Sequence, residues 1–245
     1  MTRPRLLDLF CGAGGASDGY RRAGFDVVGV DLAAQPRYPY EFHKADAMTF
    51  PLDGFDAIHA SPPCQGFTRA RKVGTYKVAP PPPDLIGATR DRLMAAGVPF
   101  VIENVEGAPL RMAFKLCGSM FGLKVRRHRL FESSVLMLAP DCQHKSGERP
   151  VGVYGSLGDH VQGTCRVTGR YVMGGRTADT IEEAREAMGI PWMLWGELKE
   201  SIPPAYTAWI GERLIAAVKG STCEGCGNDD AAQGQTLCTD CMEGP

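Results

Sequence analysis

The cysteine at position 64 follows two prolines and has the clearest chemical use of any residue in this sequence. The segment SPPCQG, residues 61–66, follows the apolar run FDAIHA at 55–60, and the prolines stiffen the backbone before Cys64. A thiol that is rigidly held and accessible is what a covalent nucleophile requires. An ordinary buried cysteine is the alternative interpretation, because free cysteines are among the most buried residues in proteins.

A carboxylate and a cluster of arginines have the chemistry to act beside that thiol. Glu103 lies near the end of the apolar run VPFVIENV at 98–105, and a carboxyl group in a dry pocket has a raised pKa and can donate a proton. If the segment RRHRLF, 126–131, is extended, Arg127 and Arg129 point to one side, where a guanidinium fork fits a carbonyl or phosphate oxygen. The alternative for Glu103 is a surface acid or a helix cap, and the alternative for the arginine cluster is a solvated run of charge.

A glycine turn and an acid form a second group, of the kind that holds a cofactor. The apolar run RLLDLF at 5–10 passes into CGAGG, whose glycines let a ligand approach the backbone, and the helix start that follows favours negative charge. Asp31 comes near the end of the next run, FDVVGVDL at 25–32, where a carboxylate can hold ribose hydroxyls. The turn does not match the GxGxxG pattern, and nicotinamide enzymes also combine a glycine turn with an acid at the end of the next strand. A tight turn with only a structural role is the alternative interpretation.

These candidate residues all lie where a predicted strand ends. The four apolar runs alternate with helical segments at 16–23 and 84–96, which predicts an α/β fold with a doubly wound, mostly parallel sheet. Ligands of such sheets bind beyond the carboxyl ends of the strands, so we expect the chemical segments to line one edge. Further on, Thr180 and Glu183 have the spacing of a capping box, and apolar periodicity predicts a last helix over 203–219.

Composition and charge limit the classes of protein that this chain can be. With 245 residues and 44% hydrophobic content the chain can bury a core, which excludes overall disorder. The sequence has no apolar run long enough for a membrane span and no secretory signal at its start, so we expect a cytoplasmic protein that contacts no membrane. Lys and Arg number 27 against 28 Asp and Glu, but 221–245 holds no Lys or Arg. The preceding body is therefore mildly basic, which permits a polyanionic partner.

The nine cysteines include two CxxC pairs near the C-terminus. These are Cys223, Cys226, Cys238 and Cys241. Four thiolates at such spacing can surround one zinc ion, so we expect a structural, zinc-ribbon-like tail over 221–245, whose acidic surface could meet a protein partner. Cys142 and His144 form a CxH pair that could join a second metal site, although an unrelated pair is the favoured interpretation.

Taken together, the motifs resemble those of the DNA cytosine-5 methyltransferase family of bacteria and phages. DLFCGAGG is similar to the family's S-adenosylmethionine motif, SPPCQG to its nucleophile motif, ENV to its glutamate motif, RRHR to its arginine motif and PPAYTAWIGERL to its closing helix. The order also matches, over roughly residues 5–132 and 177–219. The resemblance implies the S-adenosylmethionine-dependent methyltransferase fold, a place in restriction–modification, and methylation of a cytosine flipped out of double-stranded DNA.

The resemblance also implies a role for each reactive residue. Cys64 would add to C6 of the cytosine, Glu103 would bind N3 and the amino group, and Arg127 and Arg129 would contact O2. The loop after the nucleophile would close over the DNA, where its basic side chains would contact phosphates. Those side chains are Arg69, Arg71, Lys72 and Lys77.

For the cofactor, the resemblance implies a pocket at the strand ends. Phe10 would lie against the adenine ring, Asp31 would hold the ribose and Asp46 the adenine amine, with the glycine turn beside the methionine end. The full set is Phe10, Cys11, Gly12, Ala13, Gly14, Gly15, Asp31, Leu32, Asp46, Pro63 and Ser201.

The chain departs from the family pattern at both ends of its variable region. Val125 stands where a glutamine usually opens the arginine motif, and Lys199 and Glu200 stand where Gly-Asn usually precedes the closing prolines, although Ser201 could substitute. The variable region has only about 45 residues, which is consistent with a short or degenerate target site.

We therefore divide the chain into four parts and leave three alternative functions open. The parts are a catalytic core over 1–135, a reduced target-recognition region over 136–178, a return to the core over 179–220 and the zinc tail over 221–245. The alternatives are a tRNA cytosine methyltransferase, which shares PPCQ, a catalytically silent DNA-binding protein, and a nicotinamide oxidoreductase. We expect a monomer.

Overall fold

A seven-stranded sheet forms the centre of the computed structural model. The structure describes residues 2–67, 84–145, 147–158, 163–164, 171–172 and 176–220. The strands of the sheet are β1 (Arg5–Leu9), β2 (Asp26–Asp31), β3 (Glu41–Lys44), β4 (Ala57–Ala60), β5 (Phe100–Asn104), β6 (Phe114–Leu116) and β7 (Arg129–Ser133). The predicted strands at 5–10, 25–32, 55–60 and 98–105 are confirmed as β1, β2, β4 and β5, whereas β3 and β6 were not predicted.

The order of the sheet places the predicted chemical segments at one edge. The strands lie in the order β3-β2-β1-β4-β5-β7-β6, with β1 to β5 parallel and β7 antiparallel to both of its neighbours. Leu9 at the end of β1 pairs with Val30 of β2 and Ala60 of β4. Consequently the glycine turn, Asp31 and the SPPC segment leave the sheet side by side, where the strand order reverses.

Five α-helices and one 3-10 helix accompany the sheet in the described ranges. They are α1 (Gly15–Ala23), α2 (Ile86–Ala96), the 3-10 helix Gly118–Phe121, α3 (Ile181–Met188), α4 (Trp195–Glu200) and α5 (Pro204–Lys219). The hydroxyl of Thr180 accepts the Glu183 N–H at 3.2 Å, which confirms the predicted start of α3. The Glu183 carboxylate instead accepts the N–H of Asp179, so only half of the predicted capping box forms.

The closing helix α5 packs directly onto α1. A Cβ on Gly19 would lie 2.0 Å from the Thr207 hydroxyl oxygen, so only glycine permits this approach of the two helices. That hydroxyl donates to the Ala16 carbonyl at 2.8 Å. Tyr206, Ile210 and Leu214 are fully buried, as the periodicity of the last helix predicts.

Two pairs of short strands lie beyond the main sheet. Strands β8 (Val151–Gly152) and β11 (Arg176–Thr177) pair in parallel, and β9 (Gly163–Thr164) pairs antiparallel with β10 (Tyr171–Val172). None of the helices in the described part of the chain combines the length and apolarity that crossing a bilayer requires.

Candidate active site

Cys64 lies in a tight segment that follows β4. The Ser61 N–H donates to the Leu9 carbonyl at 3.1 Å, so the segment stays attached to β1 as it leaves the sheet. The Asn104 amide donates to the Pro62 carbonyl at 2.9 Å, which ties the segment to the end of β5. These two bonds and the two prolines fix the backbone of Cys64, as the sequence predicts for a positioned thiol.

Glu103 of β5 is buried beside this segment. Its Oε1 lies 3.1 Å from Nε of Arg129, the first residue of β7. Burial raises the pKa of Glu103, while the Arg129 charge and a hydrogen bond with Ser61 oppose the rise. Within the described residues, this Oε1 has the ion pair with Arg129 but accepts no hydrogen bond.

The surroundings of Cys64 also set the protonation state of its thiol. Burial raises the pKa of the Cys64 thiol, the Glu103 charge raises it further, and the Arg129 charge lowers it. The thiol form therefore predominates at neutral pH, and the nucleophilic thiolate requires loss of a proton.

A hydrogen-bonded chain that the sequence did not indicate extends from the core to Glu103. The hydroxyl of Tyr20 lies 2.9 Å from Nδ1 of His59, and Nε2 of His59 lies 3.0 Å from the Ser61 hydroxyl, which bonds Glu103. Burial lowers the pKa of His59 to about 3, so the imidazole is neutral. The chain fixes the orientation of the Ser61 hydroxyl.

The two arginines of the RRHR motif have different surroundings. Arg129 begins β7 and faces Glu103, but Arg127 has a φ of 34°, so the prediction that one extended segment carries both is wrong. The Arg127 guanidinium donates to the carbonyls of Val153, at 3.2 Å, and Lys199. Burial and the neighbouring Arg129 charge lower the pKa of Arg127. Arg127 thus ties the site to two distant segments.

Tyr206 of the closing helix holds the turn of the arginine motif. Its hydroxyl lies within hydrogen-bond distance of the carbonyls of Arg126, at 3.2 Å, and Arg127, at 2.9 Å. This contact supports the left-handed backbone of Arg127, which a side chain other than glycine adopts only with help. The closing helix therefore positions the arginine motif.

The glycine turn and Asp31 form the second half of the site. The Gly12 N–H donates to Asp31 Oδ2 at 3.0 Å, and the Ala33 N–H donates to Oδ1 at 2.9 Å. Each carboxylate oxygen keeps a further lone pair for a ligand. A Cβ on Gly12 would meet nothing within 4 Å, so the space above the turn is open.

The closing segment covers the other end of the glycine turn. A Cβ on Gly15 would lie 1.9 Å from the Ser201 Oγ, so Ser201 lies directly against the turn. The Trp192 indole donates to the Ala13 carbonyl at 3.0 Å. Trp192 was not predicted, since nothing in the local sequence distinguishes it from a core tryptophan.

The remaining predicted cofactor residues lie along the same edge. Leu32 follows β2 and is 73% exposed, and Asp46 follows β3 and is exposed, with one carboxylate oxygen accepting the Met48 N–H at 2.8 Å. Pro63 is half-buried beside Cys64. Phe10 has a φ of 59° at the end of β1, where Cys11 and Gly14 complete the turn.

Two groups of predicted site residues lie outside the described ranges. They are the basic residues Arg69, Arg71, Lys72 and Lys77 within 68–83, and the cysteines Cys223, Cys226, Cys238 and Cys241 within 221–245. Their roles stay predictions.

Comparison with known proteins gives partial matches to methyltransferases. The chain is 27% identical to Type II methyltransferase M.XorII of Xanthomonas oryzae pv. oryzae over 155 residues, covering 56% of this chain and 32% of that protein. It is 33% identical to Type II methyltransferase M1.HphI of Haemophilus parahaemolyticus over 86 residues, covering 28% of this chain and 23% of that one. The match thus spans a third or less of each relative. No protein-family model matches.

The structure comparison covers more of the chain. A protein described as a DNA modification methyltransferase encoded within an E. coli prophage superposes with a TM-score of 0.56 at 17% identity, covering 87% of this chain and 99% of that one. The fold is therefore that of the S-adenosylmethionine-dependent methyltransferases. The similarities in sequence and structure together confirm the resemblance of this chain to the DNA cytosine-5 methyltransferase family.

Proposed function

We propose that the chain is a DNA cytosine-5 methyltransferase whose nucleophile is Cys64. The observation that carries the proposal is the meeting of a positioned thiol, a buried carboxyl group and an arginine. Glu103 lies 3.1 Å from Arg129, and the Asn104 amide links the strand of Glu103 to the Cys64 segment. A catalytically silent DNA-binding protein has no need to hold these three groups together.

The three groups supply what methylation at C5 requires. C5 of cytosine is a poor nucleophile, and addition of the Cys64 thiolate to C6 gives it enamine character. Glu103 binds N3 and the amino group and assists protonation at N3 as the thiolate adds, and Arg129 orients the carboxyl and the base oxygen. After C5 is methylated, loss of its proton re-forms the double bond and expels Cys64.

The residues at the strand ends fit S-adenosylmethionine. Open space lies above Gly12, the Asp31 carboxylate retains acceptor capacity beside it, and the exposed Leu32 offers an apolar surface to a purine. S-adenosylmethionine, when bound, supplies an electrophilic methyl group. The contact of Ser201 with Gly15 supports its proposed role in place of the missing asparagine.

Double-stranded DNA is the proposed partner, with the target base flipped out of the stack. We assign the phosphate contacts to the basic loop that follows the nucleophile, residues 68–83, and target choice to the reduced region over 136–178. We assign a structural zinc ion to the tail over 221–245.

Covalent trapping tests the proposal. Fluorine at C5 cannot leave as a proton, so the Cys64 adduct persists on methylated 5-fluorocytosine. DNA in which every cytosine carries fluorine avoids the need to know the target sequence. With S-adenosylmethionine, the unmodified chain should form a denaturant-stable complex, and Cys64→Ser should form none; cytosine DNA is the matched control. A complex on 5-fluorocytosine RNA alone would favour the tRNA methyltransferase instead.

A further inference from the structure

Four side chains outside the proposed active-site groups bring metal-ligand atoms together. They are Cys117, His128, Cys142 and His144, and their sulfur and nitrogen atoms all lie within 4.8 Å of one another. Cys117 is fully buried, His128 and Cys142 are half-buried and His144 is exposed. Cys142 and His144, expected from sequence to be an unrelated pair, therefore share one cluster.

Three of the six distances between ligand atoms of the cluster are close to those around one tetrahedral metal ion. Nε2 of His144 lies 3.1 Å from Sγ of Cys117 and 3.3 Å from Nε2 of His128, which lies 3.5 Å from Sγ of Cys142. Zinc holds sulfur at about 2.3 Å and imidazole nitrogen at about 2.0–2.1 Å, so its tetrahedral ligand atoms are separated by about 3.3–3.8 Å. A ligand set of two cysteines and two histidines is one that zinc uses in structural sites.

The surroundings of two ligands supply the supporting contacts that metal sites have. Nδ1 of His128 lies 3.6 Å from Oε1 of Glu106, so a carboxylate stands behind the ring whose Nε2 faces the cluster. Carboxylates in this position orient metal-binding histidines. The hydroxyl of Ser119 lies 3.2 Å from Sγ of Cys117 and can donate to a thiolate.

The cluster joins segments that are distant in sequence. Cys117 lies between β6 and the 3-10 helix, and His128 directly precedes β7. The other two ligands come from the segment 134–145, which contains no helix or strand. A Cβ on Gly118 would lie 2.0 Å from the Val125 carbonyl, so the loop between the first two ligands is tightly closed. A metal ion here would fasten the irregular segment to the sheet.

We propose that Cys117, His128, Cys142 and His144 bind one structural zinc ion. All four positions of the ion are filled by protein, so it activates no water. Because His128 lies between Arg127 and Arg129, the ion also fixes the backbone of the arginine motif. This positioning role rests on the proposed methyltransferase function, whereas the metal site itself does not.

The zinc stoichiometry of the full-length chain tests the site. The tail cysteines are a second proposed zinc site, so the key variant replaces Cys223, Cys226, Cys238 and Cys241 by serine. This variant, checked for folding by circular dichroism, should retain about one zinc per chain, and adding Cys142→Ser and His144→Ala should remove it. A folded tail variant that binds no zinc when supplied with the ion would overturn the proposal.

Zinc-edge X-ray absorption of the unmodified chain tests the site without any variant. Imidazole nitrogen should contribute to the zinc environment, because the tail over 221–245 contains no histidine. Coordination by sulfur alone would contradict the site even if a variant failed to fold. Metal content and ligand type do not depend on methyl transfer, so failure of the site and failure of the proposed function are distinguishable.

His144→Ala should then lower methyl transfer while S-adenosylmethionine binding persists, as expected of a positioning role.

Discussion

The reactive residues derive their properties from burial and from one another's charge. Glu103 and Cys64 both have raised pKa values because the sheet edge removes them from water, and Arg129 opposes the rise at both. The raised pKa values favour the protonated form of both groups.

The reactivity of Cys64 should increase when Glu103 loses its charge. At about pH 8.5, near the pKa of a free thiol, Glu103→Gln should speed the alkylation of Cys64 by iodoacetamide roughly three- to tenfold. The reason is that lowering the thiol pKa by one unit raises the thiolate fraction about tenfold. Peptide mass spectrometry would follow Cys64 separately from the other cysteines. Glu212→Gln, on the exposed side of α5, is the matched control and should change nothing. Slower alkylation of Glu103→Gln would contradict the assigned electrostatics.

Asp8 in β1 should destabilise the fold at neutral and alkaline pH. Burial raises its pKa to about 7, Ser17 donates to Oδ2 at 2.5 Å, and Oδ1 has no hydrogen-bond partner in the described ranges. Because the folded pKa exceeds the ordinary aspartate value of 3.8, the folded state loses stability as pH rises from about 4 to about 7. Asp8→Asn should therefore raise the free energy of unfolding at about pH 8, by at most about 4 kcal/mol, and should lose this advantage near pH 4.

Urea unfolding at the two pH values measures this effect. The serine bond survives in the variant because the asparagine oxygen also accepts. A variant less stable than the unmodified chain at the higher pH would contradict this account of Asp8, because the carboxylate would then be stabilised by the fold.

At the scale of elements, a buried ion pair holds α2 against β7. Arg90 of α2 donates to both carboxylate oxygens of Glu132 at 2.5 and 2.8 Å, and also to the Pro109 carbonyl at 3.1 Å. Both side chains are buried. The pair fixes the strand that carries Arg129.

Removing one partner of this pair should be costly. Arg90→Met leaves the Glu132 carboxylate buried without its cation, so the free energy of unfolding should fall by about 3–5 kcal/mol. Lys124→Met breaks the exposed Lys124–Glu186 pair and should change stability little. Denaturant unfolding of both variants gives the comparison. Equal, small losses would mean that the buried pair contributes no more than the surface one.

The sequence predicts the elements whose signals are local. The apolar runs of β1, β2, β4 and β5 end at polar residues, and the caps at Gly24 and Gly189 depend on neighbouring residues only. These signals were enough to bring Cys64, Glu103 and Asp31 to one edge. The unpredicted features depend on contacts distant in sequence: the turn at Arg127 is held by Tyr206, and Trp192 bonds the Ala13 carbonyl. No local pattern encodes such contacts.

At the scale of the whole molecule, the closing helix completes the packed body that the structure describes. Helix α5 packs on α1 and ends at Lys219, and the described part of the chain ends at Gly220. The C-terminal tail, with few apolar residues, depends on metal for its folding energy in our account.

Deletion of residues 221–245 should therefore leave methyl transfer intact. The shortened chain should bind S-adenosylmethionine as tightly as the full chain and contain about one zinc fewer, by calorimetry and metal analysis respectively. If it binds cofactor and DNA but methylates nothing, the tail belongs to the active assembly.

Identifying the methylated nucleoside tests most directly whether Cys64 methylates C5 of cytosine in DNA. DNA and RNA from cells lacking their own cytosine methyltransferases, and expressing either the unmodified chain or Cys64→Ala, would be digested and analysed by mass spectrometry. We expect 5-methyldeoxycytidine in DNA from cells with the unmodified chain, and background levels with Cys64→Ala. Methylation only of an exocyclic amino group, only in RNA, or equally by Cys64→Ala would contradict this expectation.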